Sequence, residues 1–146
     1  MNKKLLLVLI VFVVLIPVII VSTLFFLTLT AVNPSQNFSA TRNAQRSADI
    51  QQIHTTIRQY LAELDSSTLE RLGDIPLCGN SSKAIGTGSG NIDLGKTLIP
   101  MFMTSVPKDP QTGTDEDTGY TICKVTGYDV QIRAPKAENG KVIQVP

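Results

Sequence analysis

The stretch LLLVLIVFVVLIPVIIVSTLFFLTLTAV, residues 5–32, decides how the rest of the chain is read. Its 28 residues contain no Asp, Glu, Lys, Arg or His. As a helix rising about 1.5 Å per residue it would run roughly 42 Å, more than the roughly 30 Å hydrocarbon core of a bilayer. The run therefore predicts a transmembrane helix over Leu5 to Val32. Pro17 removes one backbone hydrogen bond inside it. Ser22, Thr23, Thr28 and Thr30 can bond back to the helix backbone or meet a neighbouring helix. Asn2-Lys3-Lys4 precedes the run, and the first charge beyond it is Arg42. That asymmetry predicts a cytoplasmic flank over residues 1–4 and an extracytoplasmic remainder, in a single-pass membrane protein. The length of the run, and the poor match of Leu29-Thr30-Ala31 to a cleavage site, favour a retained anchor over a cleavable signal peptide.

Beyond the run the chain turns polar. Pro34 biases Asn33 away from helix, so a hinge is expected over residues 33–38, followed by one extracytoplasmic domain over 39–146. Such a length suffices for one small domain and not for two. Taking Lys3 and Lys4 from the 13 Lys/Arg leaves 11 against 12 Asp/Glu. This near-neutral, mixed surface offers no basic stripe for nucleic acid. Cys78 and Cys123 form an even pair, which outside the cytosol reads as a disulfide. The alternative is two buried free thiols. A bridge would close a loop of about 45 residues, for which chain entropy gives roughly 4 kcal/mol. Asn37-Phe38-Ser39 and Asn80-Ser81-Ser82 fit the glycosylation acceptor pattern, a pattern short enough to arise often by chance.

Ser39 to Leu64 predicts a long helix, with Ser39 able to cap it. Ile50, Ile53, Ile57, Tyr60, Leu61 and Leu64 form an apolar stripe at helical spacing. Arg42, Gln45, Arg46, Asp49, Gln52, Arg58 and Gln59 occupy much of the remainder, and Ala40, Ala44 and Ala48 recur four apart. Ser67-x-x-Glu70 fits a capping box before a short turn of helix that Gly73 can stop. Asp74 to Gly95 reads as loop. Its Gly86-Thr87-Gly88-Ser89-Gly90 lacks the Lys-Ser/Thr of a phosphate loop, so a flexible connection is expected. Lys96 to Ser105 predicts a short helix broken at Pro100, its apolar residues filling a core.

Val106-Pro107-Lys108-Asp109-Pro110 is a rigid turn entry, and Gln111 to Gly119 a polar loop. Three strands are expected after it. Tyr120 to Val125 and Tyr128 to Arg133 alternate in hydropathy, joined by a turn at Thr126-Gly127. Lys141 to Val145 follows the turn dipeptide Asn139-Gly140. Short connections between consecutive strands imply an antiparallel meander, and the Ile50–Leu64 stripe is the available cover for its apolar face. The fold class expected is α+β: an N-terminal transmembrane helix, then a long amphipathic helix packed on a small three-stranded antiparallel sheet.

This order of parts resembles type IV pilins and the pseudopilins of type II secretion. Ala44-Gln45-Arg46-Ser47-Ala48-Asp49-Ile50-Gln51-Gln52-Ile53, continuing to Tyr60, is similar to the segment where a pilin helix leaves the filament core. Val106-Pro107-Lys108-Asp109-Pro110, followed by Gly113 and Gly119-Tyr120, resembles the turn before the sheet of the major pseudopilin, and Cys123 on the next strand fits it. The resemblance covers Ser39 to about Ile132. It departs from the family at the N-terminal run. Prepilins carry Gly or Ala before a cleavage site, then an aromatic residue or Met, then Thr-Leu and a Glu five residues in, and none of these is present.

Two functions stay open on this reading. The resemblance implies a structural subunit or accessory of a pilus or secretion-type filament, with other pilin-like subunits as partners through the N-terminal helix. The missing motif instead favours a non-polymerising single-pass membrane protein whose outer domain binds a ligand or a protein partner. No catalytic residue is expected. His54 is the only histidine, lies on the long helix, and has no Cys or second His beside it for metal or acid–base chemistry. Asp109, Asp115, Glu116 and Asp117 place four carboxylates within nine residues. Calcium takes such oxygen ligands from flexible loops, and the major pseudopilin binds calcium in the corresponding loop. Calcium is therefore the candidate cofactor and these four residues the candidate ligands, although their spacing is not that of an EF-hand and a solvated charged loop is the plainer reading.

Overall fold

The computed structural model describes residues 3–31, 34–63, 69–79, 81–125 and 129–146. The chain divides into two compact units, Met1–Asn37 and Phe38–Pro146.

In the first unit, helix α1 runs Lys3–Ala31, with Pro17 inside it. Over Ile10–Thr28 its mean hydropathy is 3.1, and none of that span is buried within the chain. It is long and apolar enough to cross a membrane. The Thr23 hydroxyl donates to the carbonyls of Ile19 and Ile20, both at 2.9 Å, and the Thr28 hydroxyl to that of Phe25 at 2.7 Å. These bonds satisfy each hydroxyl within the helix's own backbone. Val32, the last residue of the expected span, lies outside the described residues.

Helix α2 runs Pro34–Glu63. A proline at the first helical position costs nothing, because its missing N–H would have no partner there. Of the hinge expected over 33–38, Pro34 to Phe38 are thus helical and Asn33 lies outside the described residues. Ser39 is not the cap but sits one turn inside. The second half of α2 follows the expected stripe, with Ile50, Ile53, Ile57 and Tyr60 buried and Leu61 packed at the margin; Leu64 is outside the described residues.

After α2, Leu69–Leu72 forms a single 3-10 turn that buries both leucines. Ser67 of the expected capping box is not among the described residues. The chain then contributes β1 (Lys83–Ala84), α3 (Gly95–Leu98), β2 (Thr121–Lys124), β3 (Val130–Arg133) and β4 (Gln144–Val145). The sheet is antiparallel in the order β1-β2-β3-β4. It has four strands rather than the three expected. The extra strand is two residues of the segment read as loop, paired as Lys83↔Ile122 and Ala84↔Thr121. Two residues cannot display an alternation, so only the partner strand reveals it. The predicted meander of the last three strands is present, with register Ile122↔Ile132 and Ile132↔Val145. Tyr128 and the turn at Thr126-Gly127 lie outside the described residues.

One hydrophobic core collects the α2 stripe, Leu69, Leu72, Ile85, Leu94, Leu98, Tyr120, Ile122, Val130, Ile132 and Val145. Phe102 sets its ring edge-on to Tyr60, with centroids 5.4 Å apart, a geometry aromatic pairs prefer. Met103 is buried as expected of a core residue, whereas Met101 is exposed. The glycine-rich segment is docked rather than loose. The amides of Thr87 and Gly88 donate to the carbonyls of Asp115 (2.8 Å) and Glu116 (2.9 Å), and the Asn91 side chain also donates to Glu116 O at 2.8 Å. A Cβ at Gly86 would lie 2.3 Å from Glu116 O. The glycine is needed because another backbone passes against it.

Cys78 and Cys123 are joined, with an S–S distance of 2.10 Å. The bridge ties the segment after the 3-10 turn to β2, where the Cys78 amide also donates to Lys124 O at 2.9 Å. Replacing both cysteines by alanine should lower the unfolding free energy of the detergent-solubilised chain by about 2–5 kcal/mol. Denaturant titration followed by circular dichroism measures this, and in non-reduced protein neither cysteine should accept an alkylating reagent.

Candidate functional site

The spacing of the apolar stripe on α2 continues upstream with polar residues. Stepping back from Ile50 by alternating four and three reaches Arg46, Asn43 and Ser39. All three are buried. The same helix face thus packs an apolar core at one end and a polar one at the other.

Arg46 is at the centre, with 0% of its surface exposed. Its Nε donates to Asp109 Oδ2 at 2.6 Å, its Nη1 to Asn43 Oδ1 at 3.1 Å and Glu138 Oε2 at 2.9 Å, and its Nη2 to Gln111 Oε1 at 2.8 Å. Asp109 is held by more than the arginine. Its Oδ1 accepts from the amides of Gln111 and Thr112, both at 3.0 Å, and from the Thr112 hydroxyl at 3.1 Å. The Val106–Pro110 turn presents this carboxylate to the helix. Gly119, at φ 81°, closes the loop against it, where a Cβ would stand 2.7 Å from Asp109 Cβ.

Glu138 supplies the other arm, from the connection between β3 and β4. It accepts from Arg42 Nε at 2.7 Å and Nη2 at 2.6 Å, in a fork that matches guanidinium to carboxylate. Its backbone and the Asn43 side chain make a reciprocal pair: the Glu138 amide donates to Asn43 Oδ1 and Asn43 Nδ2 donates to Glu138 O, each at 2.9 Å. One turn further along α2, Asp49 Oδ2 accepts from the buried Tyr120 hydroxyl at 2.6 Å. No buried side-chain nitrogen or oxygen among the described residues lacks a partner. A network so fully satisfied fastens segments together, and its guanidinium groups are all committed within the chain.

The electrostatics follow from these contacts. Hydrogen bonds from Arg42 and then Arg46 pull the Glu138 carboxyl down to about 2. Burial pushes Asp109 up, but the Arg46 bond and the two amides outweigh it and hold the group below its ordinary value. Burial pushes Asp49 up, against the Tyr120 bond, and burial and that same bond push the Tyr120 hydroxyl up.

The four candidate calcium ligands do not converge. Asp109 is buried against Arg46, Asp115 pairs with Lys108 at 2.6 Å, and Asp117 accepts from the Gly119 amide at 2.9 Å. Glu116 is exposed, its carbonyl engaged by the glycine segment. Among the described residues no group of three or more His, Cys, Asp or Glu is placed to hold a metal ion. His54 lies 3.2 Å from Asp129, which also meets Arg58 at 3.5 Å. It therefore ties α2 to the start of β3. Beside the acidic loop is a cleft of about 210 Å³, floored by Ile85, Leu94 and Val106 and rimmed by Thr87, Lys108 and Asp115. The residues that sequence reasoning missed include Arg46, placed only among the polar residues beside the apolar stripe, and Glu138, which was given no role. The backward extension of the stripe could have found the first.

No protein-family model, curated protein or solved structure matches the chain.

The depressed Glu138 carboxyl makes a pH prediction. Its stabilisation is fully present above the unfolded carboxyl's value near 4.5 and is lost as pH falls towards 2. Asp109 acts in the same sense. Thermal unfolding of the chain in detergent should therefore change little between pH 7 and pH 5, then shift to lower temperature between pH 4.5 and pH 2. Glu138→Gln should lower the midpoint at pH 7 and flatten this acid limb.

Proposed function

We propose that the chain is a single-pass membrane protein with its N-terminal flank in the cytoplasm. In this reading the α+β unit outside serves as a structural or accessory subunit of a pilus- or secretion-type filament. The observation that carries it is the combination of parts in one chain. α1 is apolar and without a charge from Leu5 onward, and it finds no cover over Ile10–Thr28 within the chain. α2 is the spine of a disulfide-bonded unit with an antiparallel sheet towards its C-terminal end. An apolar helix with no partner of its own must be met by lipid or by other helices, and the pilin architecture uses such a helix for assembly. The interacting subunits would then be other pilin-like chains, with contact through the N-terminal helix. Lys3 and Lys4 on one side, and a disulfide on the other, support the orientation.

A second reading rests on a specific observation. The apolar run holds no acidic residue that could neutralise a neighbour's terminal amine, and residues 1–32 contain no prepilin cleavage motif. That favours a non-polymerising anchor whose outer unit binds a ligand or protein.

N-terminal sequencing of the chain recovered from membranes, with electron microscopy of cells expressing a tagged copy, separates the two. The filament reading predicts tagged fibres or incorporation into them. A retained Met1 or Asn2 with label confined to the membrane would reject it and leave the binding reading.

A further inference from the structure

We infer that the connection between β3 and β4, with Phe38 at the start of the second unit, forms a contact surface for an anionic lipid bilayer. The inference rests on the membrane-anchor reading of α1. Six residues separate Ala31 from Phe38. Phe38 is the residue at which the chain enters the second unit from the anchor. The connection is fastened next to Phe38. Ser39 donates to Glu138 at 3.3 Å, and Asn43 makes its reciprocal pair with the Glu138 backbone. The opposite end of α2 is far off. Tyr60, against which Phe102 packs, is 22 residues beyond Phe38, about 33 Å along the helix.

What this anchor-side end presents suits a membrane surface. Val142 is 82% exposed and Phe38 62% exposed. Lys136 and Lys141 flank the Asn139-Gly140 turn and are both exposed. Among the described residues no carboxylate pairs with Lys136, whose ammonium donates to the Thr112 hydroxyl at 2.8 Å. The acidic groups nearby are already neutralised: Glu138 by Arg42 and Arg46, Asp109 by Arg46. In the exposed acidic loop the Asp115 carboxylate pairs with Lys108 at 2.6 Å, and Asp117 accepts from the Gly119 amide, while the glycine segment engages only the backbone carbonyls of Asp115 and Glu116. Two uncompensated lysines beside two exposed apolar side chains are the combination that draws a surface onto anionic headgroups, by buried apolar area plus charge attraction. The charge contribution fades with salt.

The chain has no tryptophan, so a single substitution gives an unambiguous probe. Full-length Val142→Trp is reconstituted into vesicles of phosphatidylcholine with or without phosphatidylglycerol, with brominated acyl chains as quencher. Met101→Trp, at the Tyr60 end and 83% exposed, and Phe12→Trp in α1 are compared with it. The expected result is strong quenching of Phe12→Trp in every lipid. Val142→Trp should be quenched at least twofold more in anionic than in zwitterionic vesicles. That difference should be abolished by 1 M salt or by Lys136→Glu with Lys141→Glu, and Met101→Trp should stay unquenched throughout. If Phe12→Trp is quenched while Val142→Trp behaves like Met101→Trp, the lipid contact is overturned and the anchor stands. If Phe12→Trp is not quenched, the anchor reading fails and takes the inference with it. Val142→Trp emission that follows protein-to-lipid ratio rather than anionic content would overturn it in favour of a second copy.

Discussion

The buried pair between Arg46 and Asp109 is the constraint on which the second unit depends. A guanidinium fully removed from water is costly unless its donors are met in good geometry. Here they are met by Asp109, Glu138, Asn43 and Gln111, which come from three places in the chain. Burying Arg46 therefore requires the Val106–Pro110 turn, the β3–β4 connection and the first turns of α2 to arrive together. The apolar end of the same helix face is less demanding, because aliphatic groups accept many partners. The polar end admits one arrangement.

That division of labour explains the layout around it. The strands are short, and β1 and β4 have two residues each, so the ladder alone gives little. The disulfide, the docked glycine segment and the arginine network each bind a loop to an element at a point where the sheet does not reach. His54 and Asp129 do the same at the apolar end of α2. The result is a unit whose loops are specified by polar contacts and whose interior is specified by the α2 stripe. These are the properties of a rigid module.

Much of this was legible in the sequence where a period could be counted. Residues 5–32, the Ile50–Tyr60 stripe and the alternation in Ile122 and Val130–Ile132 each mark one element. Cys78 and Cys123 could be paired once their even number was joined to the extracytoplasmic orientation read from Lys3 and Lys4. The remainder depended on partners distant in the chain. Lys83–Ala84 is a strand only because Thr121–Ile122 lies beside it. Arg46 stood only among the polar residues beside the stripe, and Asp109 looked like a candidate metal ligand because its arginine lies 63 residues earlier. The carboxylates of Asp109, Asp115, Glu116 and Asp117 are close in sequence, but Asp109 turns to Arg46, Asp115 to Lys108 and Asp117 to the Gly119 amide, while Glu116 is exposed.

A double-mutant cycle on Arg46→Met and Asp109→Leu, read by denaturant unfolding of the full chain, tests the dependence on this pair most directly. Arg46→Met leaves Asp109 buried without its cation, and Asp109→Leu leaves the buried Arg46 with Glu138 as its one remaining carboxylate, so each should cost about 3–5 kcal/mol. The double change removes both charges and should cost clearly less than the two singles added together. Costs that simply add, or singles that leave stability unchanged, would contradict the claim that the unit is built around this pair.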